Sequence, residues 1–380
     1  VKSCEYCGRE NEDAAQFCVD CRTPFAAPTI QQPRLRPETQ VSLKIIDPQA
    51  IADAFSIAEG FTRAEWETVA GWITQNVSSA NCESAWNEAV LLWVSKLRED
   101  LGGSYYYIES PEIILLCDLD LKIAEWLLDY SNRASITIRH ALGDIAWAGA
   151  MGKNVVLVFS DVDDYYQYIA LHCREGEQAA SAGICVHSGY THIALPWHDE
   201  TEAAGTIVHE LAHDSLAHLR LPLWLNEGVA ETLARAVAPP RPSVSQSIQD
   251  SLFASAIGWK PPIIWDELAE RHFGWWDSDR IQAFWAGTSF YEPGDASELS
   301  YSLAEVLVNL ASEKANPESF RGCLNAALQE DAGRDAFQQI LGLDLGELAG
   351  KFLGPGKWRP ERLCMKRLWQ AAGWINSGKS

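Results

Sequence analysis

The chain of 380 residues is 47% hydrophobic and 22% charged, enough apolar material for a substantial core and for more than one domain. Its 52 acidic against 30 basic side chains give a net charge of -22, which opposes attraction to nucleic acid and to anionic membrane surfaces, because those partners are themselves negative. No apolar run approaches the roughly 20 residues of a membrane-spanning helix, and the first residues, "VKSCEYCGRE", lack the apolar core of a secretory signal, so a soluble, cytoplasmic protein without membrane insertion is expected.

"CEYCGRENEDAAQFCVDC" sets Cys4 and Cys7 two residues apart and Cys18 and Cys21 likewise. Two such turns present four thiolates to one ion, a complete tetrahedral shell for a structural zinc. A module over residues 1–25 is too small to fold on its own apolar burial, so metal binding would supply its folding free energy. The stretch resembles the short zinc-ribbon domain found at the start of many bacterial proteins, with Arg22 where that family usually has glycine. Residues 1–25 hold three basic and five acidic side chains, which disfavours nucleic acid as the ribbon's ligand and leaves a protein partner. The other six cysteines, at 82, 117, 173, 185, 323 and 364, have no paired spacing and read as small apolar core residues. Residues 26–49, with prolines at 28, 33, 37 and 48, read as an extended linker that lets the ribbon reorient.

Over residues 50–103 apolar residues recur three and four apart, in "AIADAFSIAEGF", "EWETVAGWITQNV" and "AWNEAVLLWVSKL", which predicts amphipathic helices with tryptophans in the core. "SYYYIESPEIILLCDL" predicts a hairpin turning at Ser-Pro, and a long helical pattern follows to about 149. "KNVVLVFSD" reads as a strand, "VDDYYQYIALHC" as a helix, and "AGICVHSGYTHIALP" as two strands joined through Ser188 and Gly189. The second of these is expected at the sheet edge, open to an extended substrate, with His187 and His192 on the surface. The fold class is therefore α+β: a catalytic domain over 104–240 with a small mixed sheet, and a helical subdomain over 241–380. The basic, tryptophan-rich tail from Lys357 is expected to dock on the acidic body.

The chemistry sits in "TIVHELAHDSLAHLRLPLWLNEGVAETLARAV". On one helix His209 and His213, four apart, point the same way and can reach one ion. Glu210 borders that ion without binding it, so it can take a proton from the attacking water and return it to a leaving amine. Pro222 opens a second helix on which Glu227 supplies the third ligand, leaving one position open for water. Gly228 would allow close helix approach, and Glu231, one turn on, is placed to hydrogen-bond a liganding histidine and fix its tautomer.

This helix pair resembles the gluzincin metallopeptidases, whose HExxH followed by WLNEGxAE is matched by His209, Glu210, His213 and "WLNEGVAE" at 224–231. The closer likeness is to bacterial peptidase MA-like proteins, with an LPxWLNEG turn and a "DYYQY" helix upstream. The resemblance covers about 104–355 and implies a zincin-like domain with His209, His213 and Glu227 as ligands of a catalytic zinc, Glu210 as base and Glu231 as supporting carboxylate. Gluzincins also hold the oxyanion with a tyrosine or histidine, for which Tyr301 in "ELSYSLAEVLVNLAS" is the best match and Tyr291 the runner-up. The GxMEN exopeptidase motif of the aminopeptidase branch is missing, which favours endopeptidase action on a peptide or protein. His218 does not extend the ligand set, because Leu216 stands where a third-histidine site needs glycine.

The function expected is zinc-dependent peptide hydrolysis with one catalytic and one structural zinc. The alternative from another class is a non-catalytic zinc-binding adaptor that uses this fold and the ribbon for partner recognition; the intact Glu210 favours the enzyme. Metal analysis of the purified chain is expected to give two zinc ions, with one lost when residues 1–25 are removed. An unchanged metal content after that deletion would remove the ribbon assignment.

Overall fold

The computed structural model describes residues 2–3, 10–13, 45–146, 152–172, 182–237 and 270–372. Cys4, Cys7, Cys18 and Cys21, Cys173 and nearly all of the linker lie outside the described residues. Within the first module only β1 (Lys2–Ser3) and β2 (Glu10–Asn11) are described, as an antiparallel pair. The chain divides into two compact units. The first comprises Val1–Ala141, Ala146–Ser215 and Ala236–Ala238; the second comprises Leu142–Ile145, Leu216–Arg235 and Pro239–Ser380.

The first unit opens with a hairpin, β3 (Phe55–Ala58) and β4 (Phe61–Ala64), over a stretch whose apolar spacing predicts helix. The two-residue loop decides the matter. Glu59 and Gly60 both take positive φ, 50° and 91°, the turn whose twist suits a tight hairpin, and Ile57 is left 73% exposed. Two helices follow as expected, α1 (Trp66–Asn76) and α2 (Cys82–Leu101), and Trp66, Trp86 and Trp93 are buried around Tyr190.

The sheet has five strands in the order β5-β6-β7-β9-β8, namely β5 (Tyr106–Glu109), β6 (Ile113–Cys117), β7 (Asn154–Phe159), β8 (Ile184–His187) and β9 (Thr191–Pro196). β5 and β8 pair antiparallel with their neighbours; β6, β7 and β9 run parallel. The parallel strands are near-continuous apolar runs because both faces are covered, and the connections between them carry α3 (Leu121–Leu142) and α4 (Val162–Ala170). β9 is thus interior and β8 is the edge, which corrects the expectation that "YTHIALP" forms the edge. The chain turns back at Gly189 (φ 84°), where a side chain would strike Trp66.

His192, expected on the surface, is only 2% exposed, and its Nε2 is 2.6 Å from the Tyr168 hydroxyl of α4. The His172 and Trp93 rings both pack edge-on to it, at 5.6 and 4.9 Å. His187 lies on the surface, as expected. α5 (Glu200–Leu216) belongs to the first unit apart from its last residue.

The second unit contains α6 (Leu223–Val237) up to Arg235, α7 (Arg280–Ala286), α8 (Asp295–Ser312), α9 (Pro317–Ala326), α10 (Leu345–Leu353) and α11 (Arg362–Ala371). The basic tail docks inside this unit through tryptophans. Trp369 Nε1 donates to the Ala286 carbonyl at 2.7 Å, Trp285 Nε1 donates to the Trp358 carbonyl at 2.7 Å, and Met365 is fully buried. Among the described residues no helix is long and apolar enough to cross a membrane.

Burial, with a smaller effect of Arg63, lowers the His172 pKa from 6.5 to about 4. The folded value lies below the unfolded one, so this stability is complete above pH 6.5 and is lost as pH falls toward about 4. Denaturant unfolding of the parent and His172→Gln should therefore show a parent stability that falls more steeply with acidification through that window; identical slopes would contradict it.

Candidate metal centre

α5 is buried around most of its circumference, through Ala203, Ala204, Ile207, Val208, Leu211 and Ala212. A helix enclosed in this way has little reason to carry polar groups unless they act. It is pressed onto the sheet edge, where a Cβ on Gly183, just before β8, would lie 2.3 Å from Thr206 Cγ2 of α5. Within this helix His209 Nε2 and His213 Nε2 are 2.9 Å apart and their rings meet edge-on at 4.6 Å. Glu210 is 7% exposed.

The surroundings of α5 add residues that motif reading does not reach. Burial raises the Asp214 carboxyl to about 6, against hydrogen bonding from Asn154 and the charge of Arg139. On β8, the Cys185 thiol is pushed well above its usual range by burial, then by Glu210 and Asp214. His187 is held below the usual histidine range by desolvation and by His213. Asp214 follows His213 directly and was open to notice; Cys185 and His187 reach α5 only through strand order, which local pattern does not encode.

In the second unit α6 starts where expected, with the amides of Leu225 and Asn226 bonding the Pro222 carbonyl at 2.9 and 3.0 Å. Trp224 anchors it: fully buried, its Nε1 donates to the Ala332 carbonyl at 3.0 Å and its ring meets Trp285 edge-on at 5.3 Å. Glu227 is 8% exposed. Gly228 faces α8 so closely that a Cβ there would lie 2.5 Å from the Ala304 carbonyl oxygen and 2.7 Å from Val308 Cγ2. Two turns on, Arg235 forms an ion pair with buried Glu305 of α8. Burial pushes the Glu305 carboxyl up, Arg235 pulls it back, and nearby Glu231 adds to the rise.

Among the described residues one group has three candidate ligand atoms within 4.8 Å of one another: those of His209, His213 and Glu227. Two imidazole nitrogens and one carboxylate oxygen suit zinc, and the set leaves one tetrahedral position open. Tyr301 is half-buried on α8 with its ring edge-on to Phe290 at 5.1 Å, whereas Tyr291 is 57% exposed. His218 is exposed beyond the end of α5. Comparison of the chain with profiles of protein families, with curated proteins and with solved structures finds no match.

Gly228→Ala should force α6 from α8, because the nearest atoms struck belong to the Ala304 backbone and cannot swing aside, and should cost about 1–3 kcal/mol. Gly71→Ala, in α1 with nothing within 4 Å of the added carbon, should instead be neutral or stabilising. Equal unfolding midpoints for the two variants would show that the α6–α8 approach is not tight.

Proposed function

We propose that this protein is a zinc-dependent metallopeptidase of the gluzincin, peptidase MA-like type, an endopeptidase with a zincin-like catalytic domain and an N-terminal zinc ribbon. What carries the reading is the convergence of the His209, His213 and Glu227 ligand atoms within 4.8 Å on helices whose sequence follows HExxH and WLNEGxAE. Zinc, when bound, supplies Lewis acidity that polarises a carbonyl and makes water a nucleophile at neutral pH. His209, His213 and Glu227 would hold it.

The remaining roles belong to the chain. Glu210 accepts the proton of the attacking water and delivers it to the departing amine, so one carboxylate serves as base and then as acid. Its near-complete burial keeps the carboxylate from competing solvent. Tyr301 is assigned to donate a hydrogen bond to the oxygen that gains negative charge at the attacked carbon. Glu231 supports the ligand set, and the Arg235–Glu305 pair holds the helix on which both glutamates stand. The five described cysteines are thiols, which suits a reducing compartment such as the cytoplasm.

Glu210→Gln keeps size and hydrogen bonding but cannot accept a proton. It is expected to retain zinc and thermal stability while turnover on a peptide library falls about a hundredfold or more. His213→Ala should lose both zinc and activity. Undiminished cleavage by Glu210→Gln would end the hydrolase reading, and binding of a protein partner without cleavage by either chain would put the adaptor in its place.

A further inference from the structure

A second cluster of chemistry lies in the first unit, at the carboxyl ends of β6 and β7. The register Tyr106↔Cys117 and Cys117↔Val158 places Tyr105 and Asp118, each one residue outside its strand, beside Phe159, the last residue of β7. Ser160 donates to Asp118 Oδ2 at 2.5 Å, and α4 begins immediately with Asp161, Asp163 and Asp164. Four carboxylates thus gather at one strand end. Among the described residues none of the four forms an ion pair with Lys, Arg or His.

A helix start accounts for part of this. Asp161 caps α4, its Oδ1 accepting the Asp163 amide at 2.7 Å, and exposed acids in a first turn are favoured by the helix dipole. Three observations remain. Asp118 Oδ1 is sealed from solvent with no hydrogen-bond partner. The Tyr105 hydroxyl is likewise sealed and without a partner, on a side chain that is 6% exposed and within electrostatic range of Asp118, Asp164 and Asp161. Asp164 is raised above the usual carboxylate range, by desolvation and then by Asp161, Asp118 and Asp163 in turn. A sealed acceptor, a sealed phenol and mutually repelling carboxylates gathered at one strand end describe a place that gains stability from a positive ion.

We propose that Asp118 and Asp164, with the Tyr105 hydroxyl and the Ser160–Asp161 turn, bind a hard divalent cation of the magnesium–calcium class. Magnesium binds through one or two carboxylates and keeps several waters. That hydrated mode is the one available here, because the carboxylate oxygens do not converge as closely as the ligand atoms of His209, His213 and Glu227. The hard oxygen donors select against zinc, so the two metals would not compete. The ion would pin the ends of β6 and β7 to the start of α4, the helix that carries Tyr168 into the core. This site stands independently of the peptidase reading.

The test is calorimetric titration of the full-length, zinc-loaded chain with magnesium chloride and, separately, calcium chloride. One saturable site is expected for at least one salt, weakened about tenfold or more in Asp118→Asn and Asp164→Asn because each loses a charged ligand. Glu83→Gln, the same charge change at an exposed position on α2, should bind as the parent does. Failure of both salts to give saturable binding overturns the site, as does equal weakening by Glu83→Gln, which would mean a diffuse counterion cloud around an acidic protein. Melting gives a second reading that does not depend on heats. Without divalent ions Asp164→Asn should melt above the parent, since a repulsion is gone, and in millimolar magnesium or calcium it should melt below. The same order under both conditions rejects the proposal.

Discussion

Two imidazole nitrogens 2.9 Å apart on successive turns of an enclosed helix are the constraint around which the rest of this fold is arranged. At that separation both lone pairs cannot face each other without a proton or a cation to share, and both rings are partly withdrawn from water. A helix can impose this geometry only if it does not twist or fray. α5 is accordingly buried on nearly every side, and Gly183 lets the edge of the sheet come within contact of Thr206. The interior strands of the sheet behind it are largely apolar on both faces, and the Nε2 of their buried His192 is met by the Tyr168 hydroxyl.

The second unit meets the same demand with different means. Glu227 is buried, and burying a carboxyl group is costly unless its helix is fixed and its polar atoms are met. Trp224 locks the start of α6, Gly228 brings its middle onto the α8 backbone, and Arg235 ties its last turns to Glu305. Trp224, Gly228 and Arg235 all lie within eight positions of Glu227, so the sequence that supplies the candidate ligand also supplies the contacts that fix its helix. An ion pair with buried Glu305 is strong only while both partners remain, and α6 is therefore sensitive to loss of either one.

The local features of the chain were legible because their signals are local. Strands β5 to β9 and helices α1 to α5 follow from alternation, apolar runs and tight-turn residues, and the His209–Glu210–His213 spacing follows from helical geometry, whereas Glu227, on the next helix, is joined to them only by the motif "WLNEGVAE". The hairpin at Phe55–Ala64 was not, because its apolar spacing also fits a helix and its turn is Glu-Gly, without the Asn or Asp that marks such turns. Strand order is a matter of which distant segments pair. That is why β9 reads as an edge from its own residues although β8 covers it, and why His192 looks like a surface residue although Tyr168 and Trp93 enclose it. The acids at the start of α4 look like ordinary first-turn residues until the register of β5 and β6 brings Tyr105 and Asp118 beside them.

The central claim is that His209, His213 and Glu227 share one ion with an open position, and replacing zinc by cobalt in the chain lacking residues 1–25 tests it most directly. Cobalt held by two imidazoles and a carboxylate should give visible absorption without the thiolate charge-transfer bands of a cysteine site, and that absorption should shift when a small hydroxamate enters the open position. Cobalt that fails to bind, or a spectrum dominated by thiolate ligation, would contradict the account.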